Sequence, residues 1–289
     1  MSSSAELPTL LLRNLELIAP MAIGRYLIFA LGAALIFKLF WNFGLARRKI
    51  QARVATSADR RREFVTSLRS LLILSFVGLS LVVGETTGVM TIYRNITWSG
   101  VPYLLVSTLG LFFFHDTYFY WTHRAMHHAK LYRFVHLAHH RSLTPTVFAA
   151  YAFSVPEAIV QGLVLPLWML FVPMYALSIF IFLTVVTFRS VVWHAGVEVL
   201  PRRLADSRWF GWINAITHHD LHHSSFRYNY GFYFTWWDKW MGTEHPEYRE
   251  RLRMGTEHPS YYRAAGGRGR SDQAPGLDAG NYLPAGTGD

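Results

Sequence analysis

VPYLLVSTLGLFFFHDTYFYW (101–121), followed by THRAMHH (122–128), is the stretch on which the fold turns. The first part is an apolar run close to the roughly 20 residues that a membrane-spanning helix needs. The second part sets His123 and His127 four residues apart, so on a helix both imidazoles lie on one face. Two more clusters repeat that arithmetic: His136-Leu-Ala-His139-His140 and His218-His219-Asp-Leu-His222-His223. Imidazoles recurring at helical spacing beside membrane-length apolar runs are poorly explained by packing and well explained by metal.

Composition sets the frame for that reading. The chain has 289 residues, 52% hydrophobic and only 16% charged, which is too apolar for an ordinary soluble domain. Cysteine is absent, which excludes disulfides, thiolate metal sites, iron–sulfur clusters and a cysteine nucleophile. Any metal is therefore held by nitrogen and oxygen. The net charge of +10 does not argue for a nucleic-acid partner, because the basic residues sit in loops between apolar runs and form no single stripe.

Working outward, the runs at about 26–46 and 71–93 read as two further spans. The loop between them carries Arg47, Arg48, Lys49, Arg53, Arg60, Arg61, Arg62 and Arg69 against Asp59 and Glu63, and the positive-inside rule assigns it to the cytoplasm. The N-terminus is then expected outside. Residues 1–20 lack the features of a cleaved signal, so the first span is expected to remain. Span 101–121 returns inward and delivers the first cluster. The stretch 156–193 is too long for one helix, and Pro173 with Met174 breaks it into a hairpin that either crosses and returns or dips into the membrane. Either path brings His194 and the third cluster to the side of the first two.

The expected fold is all-α: an integral membrane helical bundle of about three spans plus a helical hairpin, with a cytosolic histidine-rich cap. Residues 1–100 form the membrane helices and basic loop, 101–245 the catalytic domain, and 246–289 an extension with a disordered tail from about 264. Glu85, inside an apolar run, is expected to face other helices or an interface. The segment Met241-Gly-Thr-Glu-His245-Pro246 recurs at 254–259, and its histidines, His245 and His258, are set apart from the clusters.

Counting ligands sharpens the chemistry. Eight to ten histidines exceed what one ion accepts, so two ions with four or five nitrogens each and an open position fit better. Structural zinc prefers a closed set of four ligands, and no His-Glu-x-x-His metalloprotease segment is present. A metal-binding transporter or sensor would instead distribute histidines along a path through the bilayer.

Three stretches carry a family resemblance: His115-Asp116-Thr-Tyr-Phe-Tyr120-Trp121-Thr-His123-Arg124, Thr144-Pro145-Thr146, and the His-His-Asp-Leu-His-His run leading into Tyr228-Asn229-Tyr230-Gly231 and Trp237-Asp238. Together they resemble the sterol desaturase/fatty acid hydroxylase superfamily, most closely its sterol C-5 desaturase-like branch. The resemblance implies a membrane-bound non-haem di-iron oxidoreductase. It would use O2 and electrons from an external NAD(P)H-linked carrier, of cytochrome b5 or ferredoxin type, to hydroxylate or desaturate an unactivated C–H position. The lipid substrate, of sterol, hopanoid, carotenoid or fatty-acyl type, would enter from the bilayer of a bacterial inner membrane or endoplasmic reticulum.

Carried over, the family pattern falls on His123 and His127, on His136, His139 and His140, and on His219, His222 and His223. His194 is the natural candidate for an additional ligand, with His218, His115 and His128 in reserve. Asp116, seven residues before His123, is expected to orient a ligand imidazole, or else to form a salt bridge with Arg124 or a basic neighbour. Arg124, Lys130, Arg133 and Arg141 interleave the clusters and are expected to form a solvated helix face, or else to meet anionic headgroups or an acidic electron carrier. The chain departs from many relatives in having Tyr151 and Ser154 where they place histidines. A non-catalytic scaffold would show an eroded ligand set, and here the eight core histidines are intact.

Overall fold

The computed structural model describes residues 6–201, 204 and 207–254. The expected disordered tail, His258 and the second copy of the duplicated segment after Met254 lie outside the described residues.

Among the described residues, four helices are long and apolar enough to cross a membrane, within Leu7–Phe43, Ser57–Thr86, Trp98–Met126 and Ala176–Trp193. The protein is an integral membrane protein built on helices. The first of these, α1 (Leu7–Phe40), begins well before the expected position 26. Arg13, Asn14 and Glu16 lower the hydropathy of its early turns without breaking them. A proline in the first turn suits helix entry, and the Asn14 side chain donates back to the Leu10 carbonyl at 2.9 Å. The chain turns at Gly44, whose φ of 118° suits a residue without Cβ. Helix α2 (Ser57–Thr86) starts at a capping box: the Thr56 hydroxyl accepts from the Asp59 N–H at 3.1 Å, and the Asp59 carboxylate accepts from the Thr56 N–H at 3.0 Å.

Helix α3 (Val101–Met126) runs back toward the end where α2 begins, and the short α4 (Ala129–Val135) and α5 (Leu137–His140) continue from it. The hairpin follows. Its outgoing arm is two short helices, α6 (Val155–Gly162) and α7 (Val164–Met169), and its return arm is the long α8 (Ala176–Trp193). The return arm is thus a fourth membrane-length helix, and the outgoing arm is too short to count as one. The apex beyond Pro173 pairs in parallel with the segment after α2: β1 (Ile92–Tyr93) matches β2 (Met174–Tyr175) in the register Ile92 to Met174. This small ladder places the apex at the end of the bundle remote from the histidines. Glu85 also lies at that end, where its carboxylate meets the Arg94 guanidinium at 2.5 and 2.8 Å.

Two apolar clusters hold the bundle. Tyr26, Ala30, Leu71, Ala158 and Val191 join α1, α2, α6 and α8, while Leu111, Val164, Met169, Met174 and Phe182 join α3, α7 and α8. The remaining helices, α9 (Ile216–Ser225), α10 (Trp236–Trp240) and α11 (Tyr248–Met254), complete a cap over the histidine end. The basic loop before α2 is part of that cap: the Ile50 N–H donates to the Gly196 carbonyl at 3.0 Å, and Gln51 Nε2 donates to Asp220 Oδ1 at 2.9 Å.

Candidate metal centre

The histidines arrive from four directions. His123 lies in the last turn of α3 and His127 caps it, His136 precedes α5 while His139 and His140 end it, His194 caps α8, and His219, His222 and His223 ride α9. They gather into two groups: His123, His127, His136, His140 and His222 in one, and His139, His194, His219 and His223 in the other. Within each group one nitrogen per ring lies within 4.8 Å of all the others. His139 and His140 are chain neighbours in different groups, which is what a helix does with adjacent side chains that diverge by about 100°.

Hydrogen bonds at the outer nitrogens set the tautomers. Nδ1 of His123, His194 and His222 faces the carbonyls of Tyr230, Ser190 and Tyr228 at 2.9, 2.7 and 2.7 Å. A carbonyl only accepts, so these Nδ1 atoms carry the proton and their Nε2 atoms present lone pairs inward. Inward, the Nε2 atoms crowd one another: His123 to His136 at 2.9 Å, His222 to His140 at 3.0 Å, His219 to His194 at 3.0 Å and His223 to His219 at 3.0 Å. Lone pairs packed this closely repel unless a cation lies among them. Two imidazoles bound to one ion at about 2.1 Å and at right angles would themselves stand about 3 Å apart. The donor set therefore fits a metal ion in each group.

Burial agrees with neutral ligands. It pushes His127, His136, His139, His140, His219, His222 and His223 well below the usual histidine value, with repulsion from neighbouring imidazoles adding to it. His194 is lowered by burial to about 4. Neutral imidazole is the form that binds metal.

The reserve histidines stand apart. His115 Nδ1 meets the Tyr233 hydroxyl at 3.0 Å, His128 is exposed and caps α4, and His218 faces Asp238 at 3.3 Å. His245 Nδ1 accepts from the Glu247 N–H at 3.1 Å, also away from both groups.

Asp116 requires a correction. It touches no imidazole of either group and forms no ion pair with Arg124. Its Oδ1 accepts from the Tyr233 and Phe234 N–H groups at 2.7 and 3.3 Å, and its Oδ2 accepts from Trp236 Nε1 at 2.7 Å. It ties the aromatic segment after α9 to α3. Helical phase puts Asp116 on the buried face of α3 that also carries His123, and which segment packs against that face is a tertiary matter.

The carboxylate that does meet a grouped histidine is Glu157, whose Oε1 lies 2.8 Å from His136 Nδ1 with both side chains buried. Sequence reasoning gave Glu157 no role. A signal existed, because Ser154 caps α6 through the Glu157 N–H at 3.2 Å and so fixes that acid in a first turn. Asp238 has a supporting task as well: it accepts from the Tyr230 and Gly231 N–H groups, each at 2.8 Å, and so holds the turn whose Tyr230 carbonyl orients His123. Only glycine fits at 231, since a Cβ there would lie 2.5 Å from the Phe234 carbonyl oxygen. The indole of Trp193 stacks on His219 with ring centres 3.8 Å apart.

A cavity of about 440 Å³ leads from the histidines into the bundle. His123, His136, His139, His194 and His219 lie at one end, and Leu74, Leu81, Leu165, Ile179 and Leu183 are among its apolar lining.

The Fatty acid hydroxylase family model matches residues 108–243, a segment that contains every histidine of both groups. The chain is similar to the Delta(7)-sterol 5(6)-desaturase ERG3B of Gibberella zeae, 33% identical over 184 residues that cover 63% of this chain and 55% of that protein. It is also similar to the Delta(7)-sterol 5(6)-desaturase erg3C of Aspergillus fumigatus, 32% identical over 63% of this chain and 62% of that protein. With the lathosterol oxidase of Mus musculus it shares 29% identity over 81% of this chain and 76% of that protein. The chain thus spans less than two thirds of the length of the two fungal relatives. No solved structure matches it. Residues 108–243 thus match the Fatty acid hydroxylase family, and the chain is similar to sterol desaturases over most of its length.

Proposed function

We propose that this protein is a membrane-bound di-iron oxidoreductase that hydroxylates or desaturates an unactivated C–H position of a lipid. The observation that carries the proposal is the pairing of two buried histidine groups with the inner end of an apolar cavity in the bundle. The nitrogen-only donor set and the family point to iron. His123, His127, His136, His140 and His222 would hold one ion, and His139, His194, His219 and His223 the other. When bound, the iron pair supplies the oxidising power that a C–H bond demands, with O2 as oxidant and electrons from an NAD(P)H-linked carrier of cytochrome b5 or ferredoxin type.

The residues supply everything else. Backbone carbonyls and Glu157 lock the tautomers of His123, His136, His194 and His222, so these four imidazoles do not have to reorient during turnover. Phe119, Trp193 and Phe232 line the cavity beside the histidines, exclude water and leave an aliphatic or ring system as the species that fits. A sterol, hopanoid, carotenoid or fatty-acyl lipid would enter from the bilayer. The basic loop before α2 packs on the histidine end, which supports a cytoplasmic position for the cap.

Metal analysis of the purified protein tests the proposal, with about two irons per chain expected. Zinc alone, or no metal, would overturn it. Lipid profiles of cells carrying the wild type or His139→Ala should differ by a product that has gained one oxygen atom or lost two hydrogens, and that product identifies the lipid class.

A further inference from the structure

The cavity contains one cation that its surroundings leave unneutralised. Arg25 lies within a membrane-crossing helix, α1, and lines the cavity together with Tyr151. Among the described residues it forms no ion pair, and its hydrogen bonding consists of one contact, from Nε to Thr187 Oγ1 at 3.2 Å. The two carboxylates that line the cavity are engaged elsewhere, Glu157 by His136 and Glu85 by Arg94. An unpaired guanidinium in an apolar cavity is costly, and such groups pair with one another, with carbonyls or with a ligand.

The hydrogen bonds around Thr187 define which part of the guanidinium is free. The Thr187 hydroxyl donates to the Leu183 carbonyl at 2.7 Å, so it can only accept from its other neighbours. It therefore accepts from Arg25 Nε and from the Tyr151 hydroxyl, the latter at 2.9 Å. Thr187, 1% exposed, is saturated by these three bonds. The side edge of the guanidinium is pinned, while its two terminal amino groups remain as an unused fork of the kind that matches the two oxygens of a carboxylate or phosphate.

We propose that Arg25, held by Thr187, is the anchor for an anionic lipid headgroup, a carboxylate or a phosphate, in the cavity that ends at the histidines. The proposal deepens the oxidoreductase reading by naming the substrate class, and for that assignment it rests on that reading. Thr187 and His194 are separated by seven residues along α8 and its cap, or about 10 Å. An anchored headgroup therefore places the position to be oxidised several carbon–carbon bonds away from the anion, not beside it.

Equilibrium binding of labelled amphiphiles to the full-length protein in neutral detergent tests the anchor without any turnover. Oleate and oleyl alcohol share one chain and differ in charge, and a monoacylglycerol phosphate distinguishes the phosphate from the carboxylate source. The wild type should bind oleate or the phosphate at least about tenfold more tightly than the alcohol, the scale of one charge-assisted contact. Arg25→Gln should remove that preference while alcohol binding and metal content stay unchanged. Arg25→Lys, which keeps the charge, should retain a preference for the anions. Equal affinity of the wild type for alcohol and anions, an unchanged preference in Arg25→Gln, or its complete loss in Arg25→Lys would each overturn the anchor. Because binding is read separately from metal content, a protein without iron that still loses anion binding in Arg25→Gln keeps the anchor and sinks the oxidoreductase reading. A protein with iron and an unchanged preference does the reverse.

Discussion

His136 differs from the other grouped histidines in the partner of its outer nitrogen. His123, His194 and His222 lean on neutral carbonyls, whereas His136 leans on a carboxylate. A carboxylate behind a ligand imidazole raises its basicity and strengthens its hold on a metal. Glu157→Gln keeps the size and an acceptor oxygen but removes the charge. It should lower metal affinity by about 10-fold, at the lower end of the range for such partners, as measured by metal retained against a competing chelator. Unchanged retention would show that the imidazole needs only orientation. The same scale shows how Asp116 was misread: its place on the inner face of α3 follows from helical phase, but its partners at 233, 234 and 236 are more than a hundred residues away in the chain.

Among the elements, α6 brings Glu157 to His136 while packing against α2. Gly162 permits that contact. A Cβ added there would stand 3.0 Å from Leu74 Cδ2 and from Val77 Cγ1, so the two helices touch with little between them. Gly162→Val adds further methyls to a packed seam and should cost about 1–3 kcal/mol, the usual range for overpacking. A lowered thermal midpoint, with fewer irons retained per chain, checks it. The outgoing arm was legible as apolar but not as two short helices, because hydropathy reports the solvent and not the turn at 162–164. The small ladder between β1 and β2 was equally hidden, since two-residue strands leave no periodicity to read.

For the whole molecule, the cap is a concentration of neutral imidazoles enclosed in protein. In the unfolded chain each titrates near 6.5, whereas in the folded, metal-free protein burial lowers them, His194 to about 4. Below pH 6.5 the unfolded state therefore binds more protons than the folded state, and stability falls as pH falls. Each such histidine contributes a slope of about 1.4 kcal/mol per pH unit between its two values. The metal-free protein should keep its full stability above the unfolded value and lose it steeply from pH 6.5 toward 4, seen as a falling thermal midpoint in detergent. A midpoint that stays level across that window would mean that the cap is open to water.

The family resemblance, not spacing, singled out His194 as a ligand; the sequence by itself determined the helical membrane class, the helix-to-cluster junctions and the histidine pairs at helical spacing. These depend on short-range facts: the length of apolar runs, the 3.6-residue turn that aligns His123 with His127 and His219 with His223, and the absence of cysteine. Only the tertiary structure decided how nine histidines divide into five and four, which acid backs His136, what Asp116 holds and that Arg25 faces the cavity. Those outcomes depend on which faces of α1, α6, α8 and α9 meet, and such contacts join residues whose separation along the chain carries no period for a reader of the sequence to detect.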